Sequence, residues 1–229
     1  MVRTGQRVRW VCLGLALGLY PLGPLQADWT VKTVAKDPPA SVGPSIKKVL
    51  CNNAIQLVDG ADPIMEFWFR SPVPVKAKPA SLAKCLDAIR QPTLIGVVQV
   101  HQELRDYRDD ELYEGVHTIR FGLQPEDGNH LGTSEFSYFA VLIPTKLDCE
   151  LDGIGTYKKL TKKSSQETSS EHPMIMSLRP VKSADGELPS LHEPAPDHKS
   201  VRIKLPAKTA DGSKTEIVFE LVYEGMGEF

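Results

Sequence analysis

Apolar and polar residues alternate with a period of two along much of this chain, which is the spacing of a half-buried strand and not of a helix. The clearest case is near the C-terminus, where Val201, Ile203 and Leu205 alternate with Arg202, Lys204 and Pro206. After Asp211-Gly212, Ile217, Phe219 and Leu221 alternate with Val218, Glu220 and Val222. Two such runs around a turn dipeptide predict a closing hairpin. Alternation over 29–34 predicts a first strand, and a Pro-rich stretch, 37–44, reads as the linker that ends it. Strands over 49–58 and 64–69 are expected to pair across the turn Asp59-Gly60-Ala61-Asp62-Pro63. Residues 93–104, 116–123 and 174–178 read as further strands, and 135–143 is apolar on both faces, which suits the centre of a sheet.

Helical signals are few. Leu82, Leu86 and Ile89 share one face behind Ser81 as N-cap, so 81–89 reads as a short helix. Residues 154–163 fit either a short helix or an excursion, 164–171 reads as a mobile Ser/Thr-rich segment, and 183–199 as a long loop. About eight turn-separated strands with one or two short helices and no βαβ alternation predict an all-β fold, an antiparallel β-sandwich.

The first 27 residues change this picture. Arg3, Arg7 and Arg9 precede an apolar run over 11–19, and Leu25-Gln26-Ala27 offers a cleavage site, the arrangement of a secretory signal. The run is shorter than the roughly 20 residues a spanning helix needs, and Pro21 and Pro24 follow it. Residues 1–27 are therefore expected to be removed, leaving 28–229 as one exported domain, periplasmic or secreted, without membrane insertion. Loss of three arginines and no acid makes the net charge of −2 three units more negative, and no basic cluster remains, which excludes nucleic acid as the expected partner. Cys12 leaves with the signal, so Cys51, Cys85 and Cys149 allow one disulfide, with Cys51–Cys85 favoured and three buried thiols as the alternative.

Candidate chemistry is sparse. There is no G-x-S-x-G elbow, no phosphate-binding glycine loop and no H-E-x-x-H helix, so a non-catalytic protein is expected. On an extended strand His172, Met174 and Met176 would project to one face, and imidazole with thioether sulfur suits copper. The alternative is that both methionines fill the core and His172 begins the strand at its wetter end. Asp127, Asn129 and His130 lie in a turn-rich loop and offer oxygen and imidazole groups to a divalent ion or a small polar ligand, though Asp-Gly and Gly-Asn steps are also ordinary turn chemistry. The run 103–111 mixes five acids with two arginines and reads as a solvated, internally paired loop.

Tyr107-Arg108-Asp109, the run 115–125, Asp127-Gly128-Asn129-His130-Leu131-Gly132, the strand 139–144 and His172-Pro173 together resemble a group of uncharacterised exported bacterial proteins. The shared pattern is G-x-Y-T-L-R-Y-x-x-Q-P-x-D-G-[ND]-H-x-G, with His117 standing where that pattern has Tyr. The resemblance implies an exported β-sandwich, brings no established activity, and draws attention to His130 and His172 as a pair. The functional expectation is a binding module for an envelope protein or a small polar ligand. A copper or zinc protein using His130, His172, Met174 and Met176 is the alternative.

Overall fold

The computed structural model describes residues 29–125, 134–168, 170 and 172–227. The first strand, β1 (Trp29–Ala35), is followed by one helical turn, α1 (Pro44–Lys47), and by the hairpin β2 (Asn53–Asp59) and β3 (Asp62–Phe69). Then come β4 (Val73–Val75), β5 (Leu94–Val100), the short pair β6 (Leu104–Arg105) and β7 (Glu111–Leu112), β8 (Gly115–Leu123) and β9 (Tyr138–Pro144). Helix α2 (Tyr157–Ser164) precedes β10 (Met174–Pro180), β11 (Ser190–Ala195), β12 (His198–Thr209) and β13 (Lys214–Glu224).

The all-β architecture expected from the alternation is present, and eleven strands join one sheet in the order β1-β2-β3-β5-β8-β9-β10-β13-β12-β11, with β4 pairing β12. That sheet curls until distant strands face each other. Trp29 of β1 stacks on Tyr223 of β13 with ring centroids 5.1 Å apart, and Phe69 of β3 meets Phe219 of β13 edge-on at 6.5 Å. The concave face carries the in-phase residues of every long strand, among them Leu57, Phe67, Ile119, Leu142, Met176 and Ile203, in one continuous core.

The convex face is covered in the middle, which explains why β5 and β9 are apolar on both sides. Val42 and Ile46 lie over Ala54, Trp68 and Val97, while Leu160 of α2, Ile154 and Tyr107 lie over Phe139, Val141 and Ile175. The Pro-rich stretch is thus a packed cover and not merely a linker. Gly43 permits its close approach, since a Cβ there would stand 1.9 Å from the Cys149 carbonyl oxygen. Ser45 Oγ then donates to Glu150 Oε2 at 3.0 Å and accepts from the Leu151 N–H at 3.2 Å. Gly43→Ala should cost about 1–3 kcal/mol by overpacking, read as a fall in Tm. Gly155→Ala, where a Cβ meets nothing within 4 Å, should leave it nearly unchanged.

Several local expectations change. Residues 81–89 form two 3-10 turns, Leu82–Lys84 and Leu86–Ala88, because the extended Ser81 gives no side-chain cap and Cys85, Leu86 and Ile89 are drawn into the core. Cys51, Cys85 and Cys149 are free thiols, which corrects the favoured Cys51–Cys85 bridge. Cys85 is held in the main core with its thiol 3.9 Å from the Ser81 carbonyl, whereas Cys51 is half-buried ahead of β2 and Cys149 is exposed. The segment 164–171 begins with a 3-10 turn, Ser165–Glu167, and the loop expected at 183–199 contains β11.

The charged run is also more than a solvated loop. β10 pairs with β13 only from Leu178 to Pro180, so the backbone at Ile175 lacks a sheet neighbour on that side. The β6–β7 turn supplies one. Asp106 accepts from the Ile175 N–H at 3.0 Å, and the Tyr107 N–H donates to the Ile175 carbonyl at 2.9 Å. Asp106 also accepts from the N–H groups of Arg108 and Asp110, at 2.7 and 3.1 Å. Burial pushes its carboxyl up to about 6 against those three hydrogen bonds, with the Asp110 charge adding to the rise.

Candidate functional site

Asp127, Asn129 and His130 lie outside the described residues. The stem of their connection is described: β8 and β9 pair up to Leu123 and Tyr138, and the Gln124 N–H donates to the Ser137 carbonyl at 2.8 Å. His172 is exposed just ahead of β10, its carbonyl accepting from Thr168 Oγ1 at 2.9 Å. A cleft of about 70 Å³ on the convex face runs between these places. Gly122, Phe139, Val141 and Ile175 floor it, with Gln124 and Pro125 at one end, His172 and Pro173 at the other, and Arg108 and Tyr157 along the sides.

Strand register gives that cleft its length. Met174 is opposite Leu142, and Leu178 is opposite Tyr138, so His172 stands at the far end of β9 from the β8–β9 connection. The four-residue offset from Tyr138 to Leu142 corresponds to roughly 14 Å. Met174 and Met176, 1% and 2% exposed, belong to the concave core. The expected row of His172, Met174 and Met176 is therefore not assembled: the imidazole lines the convex cleft and the thioethers are on the other side of the sheet. Packing of the methionines into the core, the alternative reading, accounts for the alternation in this strand.

A second cavity, of about 370 Å³, opens on the concave side at the end where β8 begins. Its central polar group is His117, which follows the inward phase of Ile119 and Phe121 and is 4% exposed. Nδ1 of His117 is buried with no hydrogen-bond partner. Burial drives the His117 imidazole down to about 4, against the Gly115 backbone and the Glu167 charge, which favour its protonated form. The ring is neutral at physiological pH. Met174, Val116 and Pro144 give the cavity apolar walls, and Lys146 with Glu167, paired at 2.6 Å, stands at the mouth. No sequence motif marks His117, although its phase with Ile119 and Phe121 marks it as inward-facing.

Two further polar clusters are clamps. Fully buried Glu66 accepts from Lys36 Nζ at 2.6 and 2.7 Å and from Gln56 Nε2 at 2.5 Å, with His101 Nε2 2.7 Å away. Burial raises the Glu66 carboxyl, but the bonds from Lys36, Gln56 and His101 outweigh it and hold it below its ordinary value. Arg120 forms a two-pronged pair with Asp148, through Nε at 2.6 Å and Nη2 at 2.9 Å, and donates to the carbonyls of Pro92, Glu150 and Leu151. Both clusters have their carboxylate oxygens committed to neighbouring strands and loops. Among the described residues, no group of three or more His, Cys, Asp or Glu side chains converges as a metal set.

No helix among the described residues is long and apolar enough to cross a membrane. Compared with known proteins, the chain matches no family model, no curated protein and no solved structure.

Proposed function

We propose that this chain is an exported, non-catalytic β-sheet module that binds an envelope protein or a small polar ligand, with the convex cleft as its docking place. The observation that supports this reading is the continuity of the cleft from Gln124 and Pro125 to His172. It puts polar groups of the β8–β9 stem, the 103–111 segment and the approach to β10 on one surface over an apolar floor. Export rests on the pattern of residues 1–27, and the mass of the purified protein tests it: a chain beginning at Asp28 is expected.

A photo-cross-linking amino acid at position 172, compared in intact cells with one at exposed Glu193 of β11, tests the docking place. An adduct from position 172 alone is the expected result. Equal adducts from both positions, or none from either, would remove the cleft as a docking site for a protein.

The metal reading survives in reduced form, since core placement of Met174 and Met176 leaves His130 and His172 as its ligands. Copper and zinc content of protein purified from the exported fraction tests it. One equivalent of metal lost in both His130→Ala and His172→Ala supports the site, and no bound metal in the unsubstituted protein rejects it.

A further inference from the structure

We infer that the convex face where β4, β12 and β13 run side by side holds an anion site for a dianionic phosphate group, sharing no lining residue with the cleft. Lys208 and Lys214 stand directly opposite each other in the β12–β13 register. Cβ atoms so placed are about 4.5–5.5 Å apart, and like charges there weaken a sheet. The rest of β12 obeys the opposite rule: Lys199, Arg202 and Lys204 are paired with Glu224, Glu220 and Glu216 of β13. Only at the turn does a cation meet a cation, both of them exposed and neither in an ion pair among the described residues. An anion held between them removes the repulsion.

A third cation completes the site. Leu205 and Ala207 belong to the concave core, as do Val73 and Val75, so Lys208 and its neighbour Pro74 project from the convex side. A cavity of about 430 Å³ opens beside them, lined also by Arg70, Ser71 and Thr209. The Arg70 guanidinium makes no hydrogen bond or ion pair among the described residues, and of its nitrogens only Nε is buried, so both Nη atoms can be reached from the surface. Asp152 offsets part of its charge from beyond ion-pair distance. Of the acids at the rim, Asp211 is committed to Thr209 Oγ1 and the Ser213 N–H, and Glu216 to Lys204. Two opposed ammonium groups call for two negative charges, and a guanidinium takes two oxygens of one group. A phosphate supplies both, with a third oxygen to spare, whereas a carboxylate brings one charge and two oxygens.

Inorganic phosphate and acetate are the probes, titrated into the purified protein at about pH 8, where a phosphate group carries close to two charges. Phosphate should move the Lys208 and Lys214 side-chain resonances in two-dimensional NMR, and acetate should bind about tenfold more weakly. Lys208→Gln and Lys214→Gln should each weaken phosphate about three- to fivefold, while Lys158→Gln, at an exposed lysine of α2, should not. Lys214→Glu turns the opposed pair into an attractive one, so it should raise Tm without phosphate and abolish phosphate binding, a combination that a purely structural pair would not show. Sedimentation with phosphatidic acid vesicles, against phosphatidylcholine, distinguishes the source of the group. Pelleting that Lys208→Gln abolishes, with no binding of the free ion, assigns it to a lipid headgroup; binding of the free ion assigns it to a soluble phosphate compound. Equal affinity for phosphate and acetate, binding unchanged in Lys208→Gln, or no binding of either phosphate or vesicles would overturn the inference.

Discussion

Asp148→Ala should destabilise the protein by about 3–5 kcal/mol, the cost of leaving a buried charge without its partner. Arg120 and Asp148 are 2% and 1% exposed, so water cannot replace the lost carboxylate at the guanidinium. Thr118 Oγ1, which donates to Asp148 Oδ2 at 2.6 Å, loses that acceptor as well. Against a typical total of about 5–15 kcal/mol the loss leaves a marginal fold, and it should move the urea midpoint down by roughly 1–2 M at unchanged slope. Asp148→Asn, which keeps one acceptor oxygen, should fall between. Replacing both partners, as Arg120→Met with Asp148→Leu, should recover only part of the loss, because the carbonyls of Pro92, Glu150 and Leu151 still lose the donors Arg120 gave them. A midpoint for Asp148→Ala within experimental error of the parent would refute the role assigned to this pair.

Stability between pH 4 and 6.5 should be nearly level in the parent protein as far as His117 and Asp106 decide it, and sloped in opposite directions once either is replaced. Unfolded His117 titrates near 6.5 and folded His117 near 4, so the unfolded chain binds more protons in that window. Its contribution is therefore complete above pH 6.5 and lost as pH falls toward 4. Asp106 runs the other way: folded it holds its proton to about 6, unfolded only to 3.8, so its contribution is complete at low pH and lost as pH rises through that range. Each shift of about two units is worth roughly 3 kcal/mol, and the two slopes oppose.

Measured as differences from the parent, which cancel the other titrating groups, His117→Phe should grow less stable by roughly 2 kcal/mol as pH rises from 4 to 6. Asp106→Asn should grow more stable by a similar amount over the same interval. Asparagine preserves an acceptor for the Arg108 and Asp110 N–H groups, which limits the pH-independent loss. Denaturation curves at half-unit intervals are sufficient. Parallel curves for parent and variants would show that neither group titrates as its burial implies.

Strand periodicity made most of the sheet legible before any coordinates: β1, the β2–β3 hairpin, β8, β9 and the β12–β13 hairpin are all where alternation placed them. These elements depend on local spacing and turn residues. What the sequence hid depends on distant partners. β4 is three residues whose strand identity comes from lying beside Ala207, Lys208 and Thr209, and β11 exists because Leu191 and His192 pair with Val201 and Ser200. Asp106 looked like one acid among several because its buried partner, the Ile175 N–H, is 69 positions away. The candidate site divides in the same way. The strand spacing left open whether Met174 and Met176 join His172 or fill the core, and packing of the sheet decides it, with the methionines in the core and His172 at the cleft.

The stacking of Trp29 on Tyr223 has a consequence in time. The first and last strands described here close on each other, so the core between them cannot be sealed while β13 is still absent. Contacts of this sequence separation form slowly, because a long loop must close before they contribute. A chain that passes N-terminus first through a narrow channel would thus remain open behind its leading strand until β13 has emerged. Completion of the core reports that β13 has arrived.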